Sequence, residues 1–526
     1  MISRRRFLSF GARAVASAAT TYAVSRLFQG NEFVPARPAV AGRLEYTVTS
    51  LADGITSPPI SVILRPQGAP VAQATPTPFS QPASPSSQVL SDVPRQTAIA
   101  SVTTGAAQAG FLLTVTRAEN IDGASFEWDF GRGAAQRGAS TLLKPDQAGS
   151  IHGALGISNS NGELARIPLV RLVAYDTPGF LASSRPHFGV QAHVNFDLPE
   201  SLGGISTIPD VVKAIARVKE LGMDVVRTDW VWDKVEKTPG GHNWNEYQYD
   251  DVIQLLASNG LGSLAILKGT PQWCSTAPDL PYPGWANVPP TDARLYGEYV
   301  YRFIDRYGAT IKMIEVYQEP NVSLYWNFDA AGLAAMQREG FLHAKYANPN
   351  VAVGLTGLVG VPRAAVHGAD GYWHYGTVLF EAPEVFLSRI YQATGGRSWW
   401  DSMGLHTYPD MELFSPSTGF NMTRSVAFIN SIKSVMAAYG DASPLSVTEI
   451  GTCTPGDSPS PHAVAQFLGQ LVDTIRQNTA TPVLIWYRLN EGPNPSSPDD
   501  RRGLATYDLE HLTPVGQTMK AYVQQH

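Results

Sequence analysis

The chain has little cysteine, little charge and no long apolar run. Only two of its 526 residues are cysteine, Cys274 and Cys453. They form no ligand-spaced cluster, so no structural metal is expected, and they are read as two thiols rather than a disulfide framework. Charged residues make up 16% of the sequence, with a net charge of -6 and a pI near 6.0. No long run of like charge occurs, which excludes a basic surface for nucleic acid. No Gly-rich nucleotide loop follows the first strand of the repeating region described below, and no nucleotide or other cofactor is called for. The apolar stretch near the N-terminus is short and carries Arg13, a poor match to the ~20 apolar residues of a membrane span. What remains is a 44% hydrophobic fraction, ample for the core of a barrel of ~250 residues or more with an accessory domain beside it.

One stretch organises the rest. Residues 311–321, IKMIEVYQEPN, begin as a strand buried on both sides and stop in a carboxylate followed by proline. Proline donates nothing to a ladder, so pairing ends and Glu319 is left at the carboxyl end of the strand. Residues 445–451, LSVTEIG, end the same way, with Glu449 after a β-branched run and Gly451 free to turn. A strand-end Glu that only caps a following helix is the alternative for either segment alone. Their joint placement in an alternating strand and helix order favours a working pair, one carboxyl protonating a leaving oxygen and the other attacking a sugar carbon.

Residues 1–41 open with Ser3-Arg4-Arg5-Arg6-Phe7-Leu8. This is similar to a twin-arginine export signal, Ser-Arg-Arg-x-Phe-Leu. The similarity implies the twin-arginine translocase as a partner during export and a periplasmic or extracellular destination, signal-anchored if the segment is kept. From 42 to 180 short β-like runs dominate (LEYTVTS, ISVIL, GFLLTVTRA, SFEWDF, IPLVRLVAY), which predicts a small antiparallel β-sandwich. A Pro/Ser-rich insertion at about 66–95 lacks the apolar surface to order itself. Trp128-Asp129-Phe130-Gly131 resembles a short motif of polycystic-kidney-disease-type sandwich domains; glycan binding and a spacer role both stay open for this unit.

From 187 to 526 the pattern becomes strand, loop, helix, eight times over. The strands are expected at 188–196, 224–229, 262–270, 311–319, 351–358, 402–408, 445–451 and 483–489. Between them lie helical patterns such as 209–222, PDVVKAIARVKELG, which starts on Pro and stops on Gly. Eight such units predict a (β/α)8 TIM barrel, with the reactive groups at the carboxyl ends of the strands. An open doubly wound sheet is the alternative architecture.

On this count Glu319 ends the fourth strand and Glu449 the seventh. With VVRTDWVWDKVEKTPGGHNWNEY, TPQW, YQEPN, HTYP, VTEIG and IWY in that order, the region resembles glycoside hydrolase clan A, and family 39 in particular. The resemblance implies a retaining glycosidase with Glu319 as general acid/base and Glu449 as nucleophile. It makes Tyr408 a donor to Glu449 and Trp486 the floor of the reacting subsite. Physically, Glu319 must keep its proton near neutral pH, and Glu449 must stay ionised among donors. Arg227, at the end of the second strand, is the natural donor to Glu449. His406 is a candidate for contact with substrate or with Glu449, His193 for substrate contact, and Trp230, Trp232, Trp273, Trp326 and Trp486 for a rim on which a sugar face stacks. Trp399 and Trp400 are read as core. The resemblance is broken at Gln318, where clan members carry an Asn whose amide binds the sugar 2-hydroxyl. The expected substrate is an oligo- or polysaccharide of the cell envelope or exterior, with a transglycosylase or an inactive glycan-binding barrel as alternatives.

Overall fold

The structure is a computed structural model. Outside its described residues lie 1–41, 51–58, 65–97, 102–110, 120–122, 132–133, 145–148, 160–161, 170–171, 195–203, 206, 416, 452–460 and 495–501. The export-signal resemblance, the Pro/Ser-rich insertion and Cys453 therefore fall outside them, while Cys274 is a buried free thiol.

The N-terminal part forms two four-stranded antiparallel sheets. One has the order Ile60–Leu64, Gly42–Ser50, Phe111–Glu119, Ser140–Leu143, and the other Gly162–Pro168, Ala154–Asn159, Ser125–Asp129, Gln136–Arg137. Alternation decides their faces: Leu44, Tyr46 and Val48 of the first sheet are buried with Trp128, Leu155 and Ile157 of the second in one apolar cluster. The Trp128 ring meets Tyr46 edge-on at 6.2 Å, and its N–H donates to Gly138 O at 2.9 Å. A third sheet departs from the antiparallel expectation, since Leu172–Tyr175 pairs in parallel with Ala98–Ser101. This unit leans on the barrel through Val173 against Tyr346 and Tyr175 against Phe341.

Eight parallel strands close into a barrel in chain order: His187–Gln191, Val225–Val231, Gly262–Lys268, Ile311–Val316, Ala352–Val359, Ser402–Thr407, Leu445–Ile450 and Val483–Trp486. The first pairs with the second at Gln191↔Arg227 and with the eighth at His187↔Val483, so the ring has no edge. The helices between them follow local chemistry. Ile208–Glu220 starts where the Thr207 hydroxyl accepts from Asp210 N, carries Pro209 in its first turn, buries Val211, Ala214, Ile215 and Val218, and gives way to Gly222 at φ 76°. Val225, Leu264, Met313, Ala352, Val483 and Ile485 from five different strands pack together with Leu181, so they must point into the ring. That apolar layer plugs the lower half of the barrel. It also sets the parity of every strand: the next inward positions above it, Arg227, Glu315 and Gly404, begin the polar half.

Candidate active site

The fourth strand stops at Val316, three residues short of the expected end, because Tyr317 and Glu319 adopt left-handed backbone with φ of 73° and 37°. Such conformations cost a non-glycine residue about 1–3 kcal/mol and persist only where surroundings enforce them. Asn321 supplies that enforcement. Wholly buried, it donates to Val359 O at 2.8 Å and Glu381 O at 3.2 Å and accepts from Val359 N at 3.2 Å, pinning the turn to the end of the fifth strand. Glu319 thus stands on a clamped turn instead of on the strand itself. Glu449 lies in the last turn of the seventh strand, in register with His406 on the sixth.

These two carboxylates and the His406 ring come together: one oxygen of each carboxylate and a ring nitrogen lie within 4.8 Å of one another. Among the described residues they are the one such group close enough to hold a metal ion, and all three residues are hydrogen-bonded within the protein. Arg227 Nη1 donates to Glu449 Oε1 at 2.7 Å, Gln318 Nε2 donates to the same oxygen at 3.0 Å, and the Tyr408 hydroxyl donates to Oε2 at 2.7 Å. Burial by itself would raise the Glu449 carboxyl. The electropositive Nδ1–H edge of His406, the guanidinium and the two hydrogen bonds outweigh it and bring the pKa down to about 2. Glu449 is therefore an ionised carboxylate.

The His406 tautomer follows from its neighbours. Its Nε2 stands 3.2 Å from Arg227 Nη2, and arginine can only donate, so Nε2 accepts. The ring proton is then on Nδ1, which donates to Glu319 Oε1 at 2.6 Å. Oε2 of Glu319 is the oxygen that His406 does not bond. Gly357, on the fifth strand, makes room for this ring: a Cβ there would lie 2.1 Å from His406 Cδ2.

Arg227 is wholly buried and spends its donors in five directions. Besides Glu449 and His406, it donates to Gln191 Oε1 at 3.0 Å, to Gln318 Oε1 at 2.9 Å, and through Nε to Glu315 Oε2 at 2.8 Å. Glu315 is the main residue missing from the sequence reading. It is a carboxylate at 0% exposure beneath the site, held against Arg227, with Gly404 leaving space for its other oxygen. One guanidinium is thus shared between two carboxylates, which fixes its plane. The signal for Glu315 was present, since an acid follows two apolar residues, Met313 and Ile314, inside the strand, four residues before Glu319.

His193 reaches the same mouth from the end of the first strand. Its ring meets Tyr487 edge-on at 6.3 Å, its Nδ1 stands 3.5 Å from Asp229 Oδ2, and neither nitrogen makes a hydrogen bond. Lys268 Nζ lies 2.8 Å from Asp229 Oδ1. Burial would raise the Asp229 carboxyl, but Lys268 and His193 hold it well below the usual range. Arg502 lies over the rings of Tyr408 and Tyr487 at 5.2 and 5.7 Å. Tyr325 is a further neighbour, its hydroxyl pushed far up chiefly by the Glu319 charge. The buried Asp233, at the turn after the second strand, is pushed up to about 6 by burial.

The aromatic rim needs correcting. Trp230 follows the inward-facing Asp229 and so points outward, wholly buried against Tyr249, Phe303 and Tyr307 of the surrounding helices. Trp486 follows the inward-facing Ile485 for the same reason, and its N–H donates to Arg502 O at 3.1 Å from the outer face of the ring. Tyr487, the next inward position, takes the place at the mouth expected of Trp486. Trp232 stacks on Tyr299, and Trp326 packs on Tyr317. Trp273, partly buried, sets its edge to Trp232 and donates its N–H to Glu236 O at 2.9 Å. Trp399 and Trp400 are core, as expected.

No protein-family model and no curated protein matches the chain. Solved structures similar to it include a family 39 glycoside hydrolase from the gut symbiont Bacteroides cellulosilyticus WH2, at 17% identity over 76% of this chain and 76% of that one, with a TM-score of 0.47. A GH39 beta-xylosidase from Caulobacter crescentus is similar at 18% identity over 65% of this chain and 73% of that one, TM-score 0.43. A GH39 enzyme from Xanthomonas axonopodis pv. citri is similar at 17% identity over 64% and 70%, TM-score 0.44.

Proposed function

We propose that the protein is a retaining glycoside hydrolase that cleaves O-glycosidic bonds of a cell-envelope or extracellular glycan by double displacement. The observation that carries the reading is the pairing of an ionised Glu449 with Glu319 at an oxygen separation within 4.8 Å. Retaining enzymes hold their carboxyl groups ~5–5.5 Å apart, and inverting ones need ~6.5–9.5 Å to admit a water between them.

In the first step a Glu449 oxygen attacks the anomeric carbon while Oε2 of Glu319 protonates the departing glycosidic oxygen. His406 Nδ1–H keeps the other Glu319 oxygen occupied and so fixes which one delivers the proton. Glu319 then takes a proton from water as that water displaces Glu449 from the sugar. Gln318 holds Glu449 with one of its two N–H bonds and has the second for the sugar 2-hydroxyl, the role an Asn fills in the clan. His193, Asp229, Lys268 and Tyr487 border the sugar, with Trp273 farther out on the rim. Under the same reading, residues 1–41 are a twin-arginine leader that hands the chain to its translocase, 42–180 an accessory unit and 187–526 the catalytic barrel. No helix among the described residues is long and apolar enough to cross a membrane.

The test is Glu449→Gly with a panel of activated aryl glycosides, with and without azide, reading the anomeric configuration of the product by NMR. Loss of turnover, with azide restoring it as a glycosyl azide of inverted configuration, is the expected result. Wild-type turnover in that variant without azide would sink the assignment.

A further inference from the structure

Three inward side chains, one from each of the first three strands, meet one layer above the arginine that holds Glu449. Ala192 N donates to Arg227 O at 3.0 Å, so pairing of the first strand with the second carries on past Gln191. His193 and Asp229 are therefore the next inward positions after Gln191 and Arg227, about 6.6 Å farther up their strands. Lys268 ends the third strand with the inward parity of Leu264. The three meet in order: His193 Nδ1 stands 3.5 Å from Asp229 Oδ2, and Lys268 Nζ stands 2.8 Å from Asp229 Oδ1. A second line of contacts ties them to the nucleophile along the eighth strand. The His193 ring meets Tyr487, Arg502 lies over Tyr487 and Tyr408, and the Tyr408 hydroxyl bonds Glu449 Oε2.

The chemistry of this corner suits hydroxyl groups. The His193 imidazole offers one donor and one acceptor, both buried and without a hydrogen bond in the protein. Leaving both so is costly unless a ligand meets them. A carboxylate has about four acceptor positions and an ammonium three donors, so Asp229 and Lys268 can bond hydroxyls as well as one another. The Lys268 side chain is 27% exposed, which opens the corner to the mouth. An ion pair serving the fold alone gives no account of the two bare imidazole nitrogens.

Glu449 decides which carbons of a sugar arrive there. Its Oε1 is held by Arg227 and Gln318, and its Oε2 by Tyr408. With the sugar 2-hydroxyl on Gln318, C2 lies on the Arg227 side and the ring oxygen on the Tyr408 side. C3 and C4 then follow C2 along the wall above Arg227.

We infer that His193, Asp229 and Lys268 recognise the adjacent 3- and 4-hydroxyls of the sugar being released, with Asp229 as the specificity determinant. The assignment rests on the glycosidase reading and narrows its substrate to a pyranoside unsubstituted at both positions.

The experiment measures kcat/KM of the full-length wild type for the 2,4-dinitrophenyl β-D-glucoside, β-D-galactoside, β-D-mannoside, β-D-xyloside and α-L-arabinofuranoside. The best pyranoside is then compared with its 3-deoxy and 4-deoxy analogues, each corrected for spontaneous hydrolysis. The parent is expected to exceed each analogue at least about tenfold, as for a hydrogen bond to a charged group. Asp229→Asn, which keeps the shape and removes the charge, is expected to shrink both ratios at least about threefold. Lys268→Gln and His193→Gln should each shrink at least one, and they carry the test if Asp229→Asn does not fold. A purely structural pair would lower every substrate by one factor and leave the ratios standing, since a ratio taken on one preparation does not depend on the fraction folded. Wild-type ratios near one, or ratios unchanged in the variants, overturn the inference and leave the glycosidase reading in place. Turnover of the arabinofuranoside alone, whose O4 lies in the ring, does the same. Turnover of none of the five defeats the glycosidase reading, and the hydroxyl site with it.

Discussion

Replacing Tyr408 by Phe removes one hydrogen bond from Glu449 and little else. The hydroxyl stands 2.7 Å from Glu449 Oε2, while the ring under Arg502 and the backbone oxygen that accepts from Ser425 are kept. A hydrogen bond to a charged group is worth about 1.5–3 kcal/mol, and a pKa unit about 1.4 kcal/mol, so the Glu449 carboxyl is expected to rise by about one to two units. It starts from about 2. The assay is the pH dependence of kcat/KM on a 2,4-dinitrophenyl glycoside, whose leaving group departs without a proton, so that Glu449 ionisation is read apart from Glu319. Wild type should hold kcat/KM down to about pH 3, and Tyr408→Phe should have lost half of it between about pH 3 and 4. Stability moves in the same sense. A carboxyl depressed in the folded state contributes fully above its unfolded value of 4.5 and loses that contribution as pH falls through about 2. The contribution is of order 3 kcal/mol in wild type and about half that in the variant. An acid limb that stays put while kcat/KM drops at every pH would refute the claim that Tyr408 acts by stabilising the ionised nucleophile.

Two further outcomes follow from the buried layer and from strand parity. Glu315→Gln leaves the wholly buried Arg227 with one carboxylate instead of two and should cost about 3 kcal/mol, the low end for a broken buried pair, because the amide still accepts a hydrogen bond. Urea unfolding measures it, and Glu315→Gln/Arg227→Gln should recover part of the loss. Trp230→Ala should cost about 3–5 kcal/mol of stability with KM unchanged, whereas Tyr487→Ala should raise KM at a smaller stability cost. The opposite split would show that the inward and outward faces have been exchanged.

The sequence alone determined the order of elements, the count of eight and the two carboxylates, because buried parallel strands, helix caps and strand-end acids are local patterns with local causes. The Arg227 bond to Glu449 was equally legible, since a charged residue ending an apolar run must find a partner when the ring closes. Local pattern fell short in three places. Periodicity could not reveal that Tyr317 turns left-handed and takes Glu319 off the strand, since the clamp is Asn321 bonding to the fifth strand. It misjudged Trp230 and Trp486, because a tryptophan fits the helix-facing side of a barrel strand as well as the mouth, and only the apolar plug inside the closed ring fixes which face is inward. The His406 tautomer was beyond it altogether. That proton's position depends on an arginine and a glutamate brought to opposite edges of one ring from strands distant in the chain, and closure of the barrel alone sets that geometry.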